Sequence, residues 1–377
     1  MRNHVPPLLT VKATMITFEG ITKTYPGGTT AVSDLDLHVP EGEVVVLVGP
    51  SGCGKTTTLR IVNRMIEPTS GKLQIDGRDA MAEPVHELRR RIGYVIQHAG
   101  LFPHRTIGDN IATVPKLAGW DKEKVRARVD ELMELVGLPT DSADRYPHQL
   151  SGGQRQRVGV ARALAVDPPI MLMDEPFGAV DPVVRSRLQD EFLRLQRDVH
   201  KTIVFVTHDI DEAIKMGDRI AIFNVGGVLE QYDTPENLLA NPANEFVEGV
   251  LGDEPGLKRL ALIPVSAVRA DPGPVVRADD GPEDAKRVAV EHGTDFAIVL
   301  DAEGTLLGWA DVDRLEGVTR MADAELNEPT LTVNASDSLR AALNAMVTGH
   351  TGAAIRLSEG RRYEGIVTQE IVAGELP

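Results

Sequence analysis

The stretch Glu43–Met65, EVVVLVGPSGCGKTTTLRIVNRM, decides the fold. EVVVLVG (43–49) is an uninterrupted apolar run, the pattern of a strand covered on both faces. A glycine-rich turn follows, and KTTTLRIVNRM then reads as a helix. Within it GPSGCGKT, Gly49–Thr56, fits G-x-x-x-x-G-K-[ST] in the strand–loop–helix context that gives the pattern its meaning. Glycines let backbone N–H groups close around phosphate oxygens, and the helix start adds positive potential. Lys55 is placed for the β- and γ-phosphates, and Thr56 for Mg²⁺. The bland alternative, a glycine-rich turn with a surface lysine, is disfavoured by that context. Cys53 reads as the small residue of a tight turn. A helix N-terminus also lowers a thiol pKa, so thiol reagents are expected to inhibit.

Outward from this stretch, strands and helices alternate to about residue 225, as in a sheet with helices on its faces. GKLQIDG (71–77) reads as a short hairpin-type strand between two glycines. DKEKVRARVDELMELVGL (121–138) sets Val125, Val129, Leu132 and Val136 on one helical face, with Gly137 as the stop. IMLMDE (170–175) and TIVFVTH (202–208) read as buried strands, and the helix between them starts at Pro182. Asp174 and Glu175 close the first of these strands. Asp174 is expected to hold Mg²⁺ through water, leaving Glu175 to polarise an attacking water. An acidic turn at a strand end is the alternative. His208 closes the second strand, within reach of a γ-phosphate.

LSGGQRQRVGVARAL, Leu150–Leu164, supplies a second anion-binding helix start without a lysine, opened by Ser151 and two glycines. One nucleotide needs one such seat. The second is expected to serve the nucleotide of another subunit.

Composition bounds what remains. With 42% hydrophobic and 25% charged residues, the chain has the make-up of a globular protein of two or three domains. No window reaches the ~18 uninterrupted apolar residues of a spanning helix, so the chain itself is not expected to cross a membrane. A net charge of −16 disfavours nucleic acid as a partner. A single cysteine excludes an internal disulfide framework and suits a reducing compartment. Residues 1–14 read as a disordered extension or a misplaced start ahead of Met15, with no signal peptide. Residues 252–377 carry 22 acidic and 12 basic residues, a net of −10 against −6 for the first 251. That shift marks a boundary, with GDEPGLK (252–258) as the linker. Beyond it a repeat runs at an offset of 57 residues. Asp280 falls on Asp337, Ala297 on Ala354, Ile298 on Ile355, Leu300 on Leu357 and Gly308 on Gly365. Each copy reads turn, helix, short strand, turn, then a second strand starting at glycine.

Over roughly residues 15–250 these motifs, in this order, resemble the ATP-binding subunits of ABC transporters. By that resemblance GPSGCGKTT is the Walker A loop, with Gly49, Pro50, Ser51, Gly52, Cys53, Gly54, Lys55, Thr56 and Thr57 around the phosphates. Tyr25 is the aromatic that stacks on adenine. Gln97 is the Q-loop residue facing the nucleotide and its Mg²⁺. Ser151, Gly152, Gly153 and Gln154 belong to the signature, and IMLMDE is the Walker B strand. Asp181 ends a D-loop, GAVD, in which Val180 departs from the usual pattern; His208 is the switch histidine. The implied fold is α/β: a RecA-like P-loop NTPase core, an antiparallel β subdomain near the N-terminus and a helical subdomain at about 98–160. Two copies are implied to close head-to-tail on two MgATP. Each nucleotide then lies between one Walker A loop and the partner's Ser151–Gln154, with Glu175 activating water and Lys55, Gln97 and His208 at the reacting phosphate. Hydrolysis is implied to release the dimer.

A lone ATPase unit without membrane segments is the import-type arrangement. The implied partners are separate transmembrane permease subunits and, indirectly, an extracytoplasmic solute-binding protein, with the chain peripheral on the cytoplasmic face of the membrane. LFPHRTIGDNIA (101–112) resembles the segment that receives the permease, and an exposed Phe102 suits that socket. VIQHAGLFPHRTIGDNIATVPKLAGW and NRMIEPTSGKLQIDG resemble the subunits for quaternary-amine osmolytes: glycine betaine, proline betaine, carnitine and choline. The repeat at 259–377 resembles an α+β tandem CBS pair, a feature of that branch. It departs from the Gly-x-x-Thr-x-x-Asp pattern, having Ile371 after Gly365 and Thr368, and Asp311 and Arg314 after Gly308. Sensing of ionic strength or of a cyclic dinucleotide is the implied role. An importer of another small solute, or a soluble ABC ATPase acting on nucleic acid or ribosomes, are the alternatives.

Overall fold

The computed structural model describes residues 13–96, 100–178, 182–328, 332–349 and 352–376. It divides into two units, Met1–Leu251 and Gly252–Pro377.

The strands of the first unit are β1 (Thr14–Thr24), β2 (Thr30–Pro40), β3 (Val44–Val48), β4 (Ser70–Ile75), β5 (Arg78–Asp79), β6 (Ile92–Val95), β7 (Ile170–Asp174), β8 (Thr202–Val206), β9 (Arg219–Asn224) and β10 (Val228–Asp233). They form two sheets. The first, ordered β2-β1-β4-β5, is antiparallel and alternates buried and exposed residues, one face on the core and one in water. The second, ordered β10-β9-β3-β8-β7-β6, is parallel except for β10. Val44–Val48 is no more than 2% exposed at any residue because parallel neighbours flank β3 and packed elements cover its faces, the antiparallel sheet among them. One apolar core joins the sheets: Ile16, Phe18 and Leu35 from the first meet Val45, Leu47 and Phe223 from the second, with Leu59 and Val62 of the helix Lys55–Val62.

The parallel arrangement brings three strand ends to one place. Leu47 pairs with Val206, and Val206 with Asp174, so the carboxyl ends of β3, β8 and β7 lie in one line. Ligands of open parallel sheets bind at that edge. A helical region follows β6, with helices Ile107–Ile111, Thr113–Leu117, Lys122–Leu135 and Gly152–Leu164. Val125, Val129 and Leu132 are buried as their spacing predicts, and Gly137, at φ +65°, ends the run.

Strand β1 begins at Thr14, inside the segment read as an extension; Thr14 pairs with Pro40, and the Ala13 carbonyl accepts from the Glu41 N–H. The remainder of that segment, residues 1–12, lies outside the described residues.

The second unit follows the 57-residue repeat element by element. β11 (Val275–Arg277), the helix Pro282–His292, β12 (Phe296–Leu300) and β13 (Leu306–Asp311) correspond to β14 (Thr332–Val333), the helix Leu339–Thr348, β15 (Ala353–Ser358) and β16 (Arg362–Thr368). Each set makes a three-stranded sheet. Phe296, Ile298 and Leu306 of one sheet pack against Ile355, Leu357 and Ile366 of the other. The copies also exchange edges. Trp309 on β13 bridges to Asn327 at the entry to the second copy, and Ile366 on β16 bridges to Asp271 at the entry to the first. Gly308 and Gly365 permit this, because a Cβ on either would press on the incoming backbone. The stretch 252–258 is only partly a linker. From Pro255 it forms the helix Pro255–Leu262, with proline at its first turn and Leu260 fully buried.

Candidate functional site

The phosphate loop is shaped by two glycines that nothing else replaces. Gly49 (φ +152°) and Gly54 (φ +96°) sit where a Cβ would run into the carbonyl oxygens of Phe223 and Ala31. Lys55 opens the helix and is 6% exposed. Its Nζ donates to the carbonyls of Gly49 (2.7 Å) and Pro50 (2.9 Å) and lies 3.4 Å from Cys53 Sγ. Pro50, Ser51 and Gly52 are exposed, whereas Cys53 is fully buried. Sγ lies closed inside the turn, beside the Lys55 ammonium.

Thr56 Oγ1 donates to Asp174 Oδ1 across 3.0 Å, bringing helix start and β7 end together. Burial raises the Asp174 carboxyl pKa, opposed by the Thr56 hydrogen bond and by the charge of Arg60. A hydroxyl and a carboxylate on the sheet edge are hard oxygen donors, the set that suits Mg²⁺ with waters completing its shell. Glu175 is held at φ +44°, in the left-handed region, with its N–H donating to the Val206 carbonyl. A non-glycine residue there is strained, and such strain collects at functional positions. Its Oε1 lies 3.1 Å from Nδ1 of His208, so the two side chains that end β7 and β8 meet. Tyr25 is 37% exposed, with Oη 3.5 Å from Thr57 Oγ1 and the Lys23 ammonium 5.5 Å from its ring.

The structure thus gathers Tyr25, the Gly49–Thr57 loop, Asp174, Glu175 and His208 on one edge. Ser151, Gly152, Gly153 and Gln154 open the helix Gly152–Leu164 and satisfy one another: Ser151 Oγ accepts from the Gln154 N–H (3.2 Å), and Gln154 Oε1 accepts from the Ser151 N–H (2.9 Å). Ser151 and Gly152 are exposed. Gln97 and Asp181 lie outside the described residues.

Phe102 is 39% exposed, and the loop beneath it hangs on a residue sequence reasoning passed over. Asn110 is fully buried. Its Oδ1 accepts from the Phe102 N–H (2.7 Å), and its Nδ2 donates to the carbonyls of Phe102, Arg105 and Thr106. The Arg105 guanidinium stacks 4.9 Å from the Phe102 ring centroid. Tyr94 was also missed. Burial raises the pKa of its phenol, which is hydrogen-bonded to Arg60 and near Asp174.

Comparison with known proteins then decides the family. The model described as ABC transporter matches residues 32–178. Choline transport ATP-binding protein OpuBA of Bacillus subtilis is 44% identical over 366 residues, covering 94% of each chain. Glycine betaine/carnitine/choline transport ATP-binding protein OpuCA of the same organism is 50% identical over 303 residues, 80% of each chain. The chain belongs to the ATP-binding subunits of ABC transporters. Among solved structures, the dimeric ATP-binding cassette MJ0796, in a post-hydrolysis state bound to ADP and Pi, matches with a TM-score of 0.53 at 36% identity, covering 58% of this chain and 98% of that one. In this ABC ATPase the RecA-like core is the six-stranded sheet with its helices, and the antiparallel sheet is the β subdomain.

Proposed function

We propose that this chain is the ATP-hydrolysing subunit of an importer that takes up a quaternary-amine osmolyte such as glycine betaine, carnitine or choline. The observation that carries the chemistry is the convergence of Lys55, Thr56, Asp174, Glu175 and His208 on the carboxyl edge of one parallel sheet. Bound MgATP supplies the transferable phosphoryl group and the metal charge that neutralises it. The Gly49–Thr57 loop wraps the phosphates, and Lys55 turns its ammonium from its own loop carbonyls to the β- and γ-oxygens. Thr56, Asp174 and Gln97 would hold the metal, which would supply positive charge at the phosphates. Tyr25 stacks on the adenine. Glu175 orients the attacking water and takes its proton, while His208 holds Glu175 and the γ-phosphate in register.

Two copies close around two nucleotides, Ser151–Gln154 and Asp181 of each completing the other's site. The exposed, self-capped start of the helix Gly152–Leu164 supports that reading, as does the dimeric state of the matched cassette. Closure and release work on separate permease subunits through Phe102 and its loop, at the cytoplasmic face of the membrane. An extracytoplasmic binding protein delivers the solute. No helix among the described residues is long and apolar enough to cross a membrane. The tail, 259–377, is a CBS-like regulatory module that responds to ionic strength or a cyclic dinucleotide.

The cargo rests on the relatives, whose likeness extends through the tail. Uptake by the complex reconstituted with its permease tests it. Labelled glycine betaine, carnitine and choline are expected to enter vesicles on ATP addition, and not with Glu175→Gln. Uptake of an unrelated solute, with none of the three carried, would overturn the assignment.

A further inference from the structure

The hairpin of β9 and β10 reaches both ends of the phosphate loop. β9 runs beside β3, pairing Ile222 with Val48, and the next carbonyl, that of Phe223, stands in the way of a Cβ on Gly49. Four residues on, at the turn, Gly227 (φ +75°) meets β2. The Ala31 carbonyl and the Val32 Cα stand in the way of a Cβ there, and the Gly227 carbonyl accepts from the Ser33 N–H (3.1 Å). The same Ala31 carbonyl stands in the way of a Cβ on Gly54. Farther along, the Tyr232 hydroxyl of β10 donates to the His38 carbonyl (2.6 Å), so β2 is fastened to this hairpin near both of its ends. One hairpin thus abuts the start of the phosphate loop directly and its end through Ala31. Ala31 also follows the turn that bears Tyr25. The Tyr25 N–H donates to the Thr29 carbonyl (2.9 Å), and the Thr24 and Thr30 hydroxyls lie 3.1 Å apart, closing that turn as β2 begins.

We propose that Gly227 is a positioning residue of the nucleotide site. Without a Cβ there, the start of β2 seats between the hairpin turn and Gly54, and that seat fixes where Tyr25 stands relative to the phosphate loop. The part of the ligand it governs is the nucleoside rather than the phosphates. The inference rests on the stacking of Tyr25 on adenine proposed above. Gly226, its neighbour in the turn, separates contact from strain. Both glycines have positive φ, +88° for Gly226, so a side chain strains the backbone at either. A Cβ on Gly226 meets nothing within 4 Å, whereas one on Gly227 runs into the backbone of β2.

Calorimetric titration of the full chain with MgADP and with magnesium pyrophosphate, which share a diphosphate and differ in the nucleoside, tests this. Tyr25→Ala and Gly227→Ala are each expected to weaken ADP by about tenfold, the usual effect of losing one base–aromatic stack, and to leave pyrophosphate unchanged. The double variant is expected to bind ADP no more weakly than either single one, as for two lesions of one contact. Gly226→Ala is expected to bind both ligands as the unaltered chain does. On the unaltered chain, exchange of the Ser33 amide hydrogen is expected to slow with saturating ADP and not with saturating pyrophosphate. That measurement decides should Gly227→Ala not fold, by circular dichroism. Additive losses in the double variant, equal weakening of ADP and pyrophosphate by Gly227→Ala, equal effects of the two glycine variants, or Ser33 exchange that answers both ligands alike overturns the inference. Tyr25→Ala that leaves ADP binding unchanged overturns the stacking and the inference with it. A loss with Tyr25→Ala beside none with Gly227→Ala overturns the inference alone.

Discussion

Thr56 and Asp174 are joined by a 3.0 Å hydrogen bond from hydroxyl to carboxylate, tying the start of the helix after the phosphate loop to the end of β7. The proposed metal site is therefore joined from two segments more than a hundred residues apart in sequence. Asp174→Asn and Thr56→Val are each expected to lower Mg²⁺-supported ATP turnover by about 10- to 100-fold, the usual effect of losing a ligand's orienting partner. Thr56→Ser keeps the hydroxyl and is expected to retain most activity. Mg²⁺ titrations of turnover check both.

Glu175 meets His208 at 3.1 Å from a backbone conformation that few residues adopt. Glu175→Gln keeps size and hydrogen bonding but loses the base. Turnover is expected to fall by about 10²–10⁴-fold, with ATP still bound and the chain trapped as a dimer on size exclusion. Normal hydrolysis in that variant contradicts the assigned role.

The self-capped helix start at Ser151 leads to a complementation experiment. Lys55→Ala and Ser151→Arg are each expected to abolish hydrolysis. Mixed, they form dimers in which one composite site carries both lesions and the other carries none, so turnover is expected to return. A mixture as inactive as its parts rules out sites shared between copies.

Phe102 and Asn110 separate docking from stability. Phe102→Ala removes an exposed ring and is expected to leave melting and solo ATP turnover nearly unchanged while weakening co-purification with the permease. Asn110→Ala strips the partners from a buried loop and is expected to cost about 1–3 kcal/mol in chemical denaturation.

Glu212, 6% exposed on the helix Ile210–Met216, gives a pH dependence. Burial raises its carboxyl pKa, opposed by hydrogen bonds from Thr207 and Gln189, the latter at 2.9 Å. The folded chain then holds that proton more tightly than the unfolded chain. The resulting stabilisation is complete below the unfolded-state pKa and is lost as pH rises through the folded-state value. Above that folded-state value the buried carboxylate is ionised at a cost. Glu212→Gln keeps an acceptor for Gln189 and is expected to raise the melting temperature at neutral pH. The gain is expected to shrink on acidification into the glutamate range, as thermal melts across pH will show.

The strands and loop that form the candidate site were legible in the sequence because they depend on local geometry. The loop needs glycine at Gly49 and Gly54, and β3, β7 and β8 are apolar but for Asp174 and Thr202 at strand ends, because both faces of their sheet are covered. What escaped reading depends on contacts between distant segments. Nothing local to Asn110 announces that it holds four backbone groups. Nothing near Tyr94 points to Arg60. Pro255 reads as a linker residue until Leu260 is seen buried behind it. β14, with two residues, is too short to carry a period, and only its match to β11 through the repeat defines it.

The edge exchange in the tail limits how this protein can be divided. Because Trp309 bridges to Asn327 and Ile366 to Asp271, each copy's outer strand is finished by chain belonging to the other. A truncation between the copies would expose Phe296, Ile298 and Leu306 and leave β13 without its bridge. The smallest unit that can be gained, lost or transplanted is therefore the pair, so deletions, fusions and protease fragments of the tail are expected to be soluble only when both copies stay or go together.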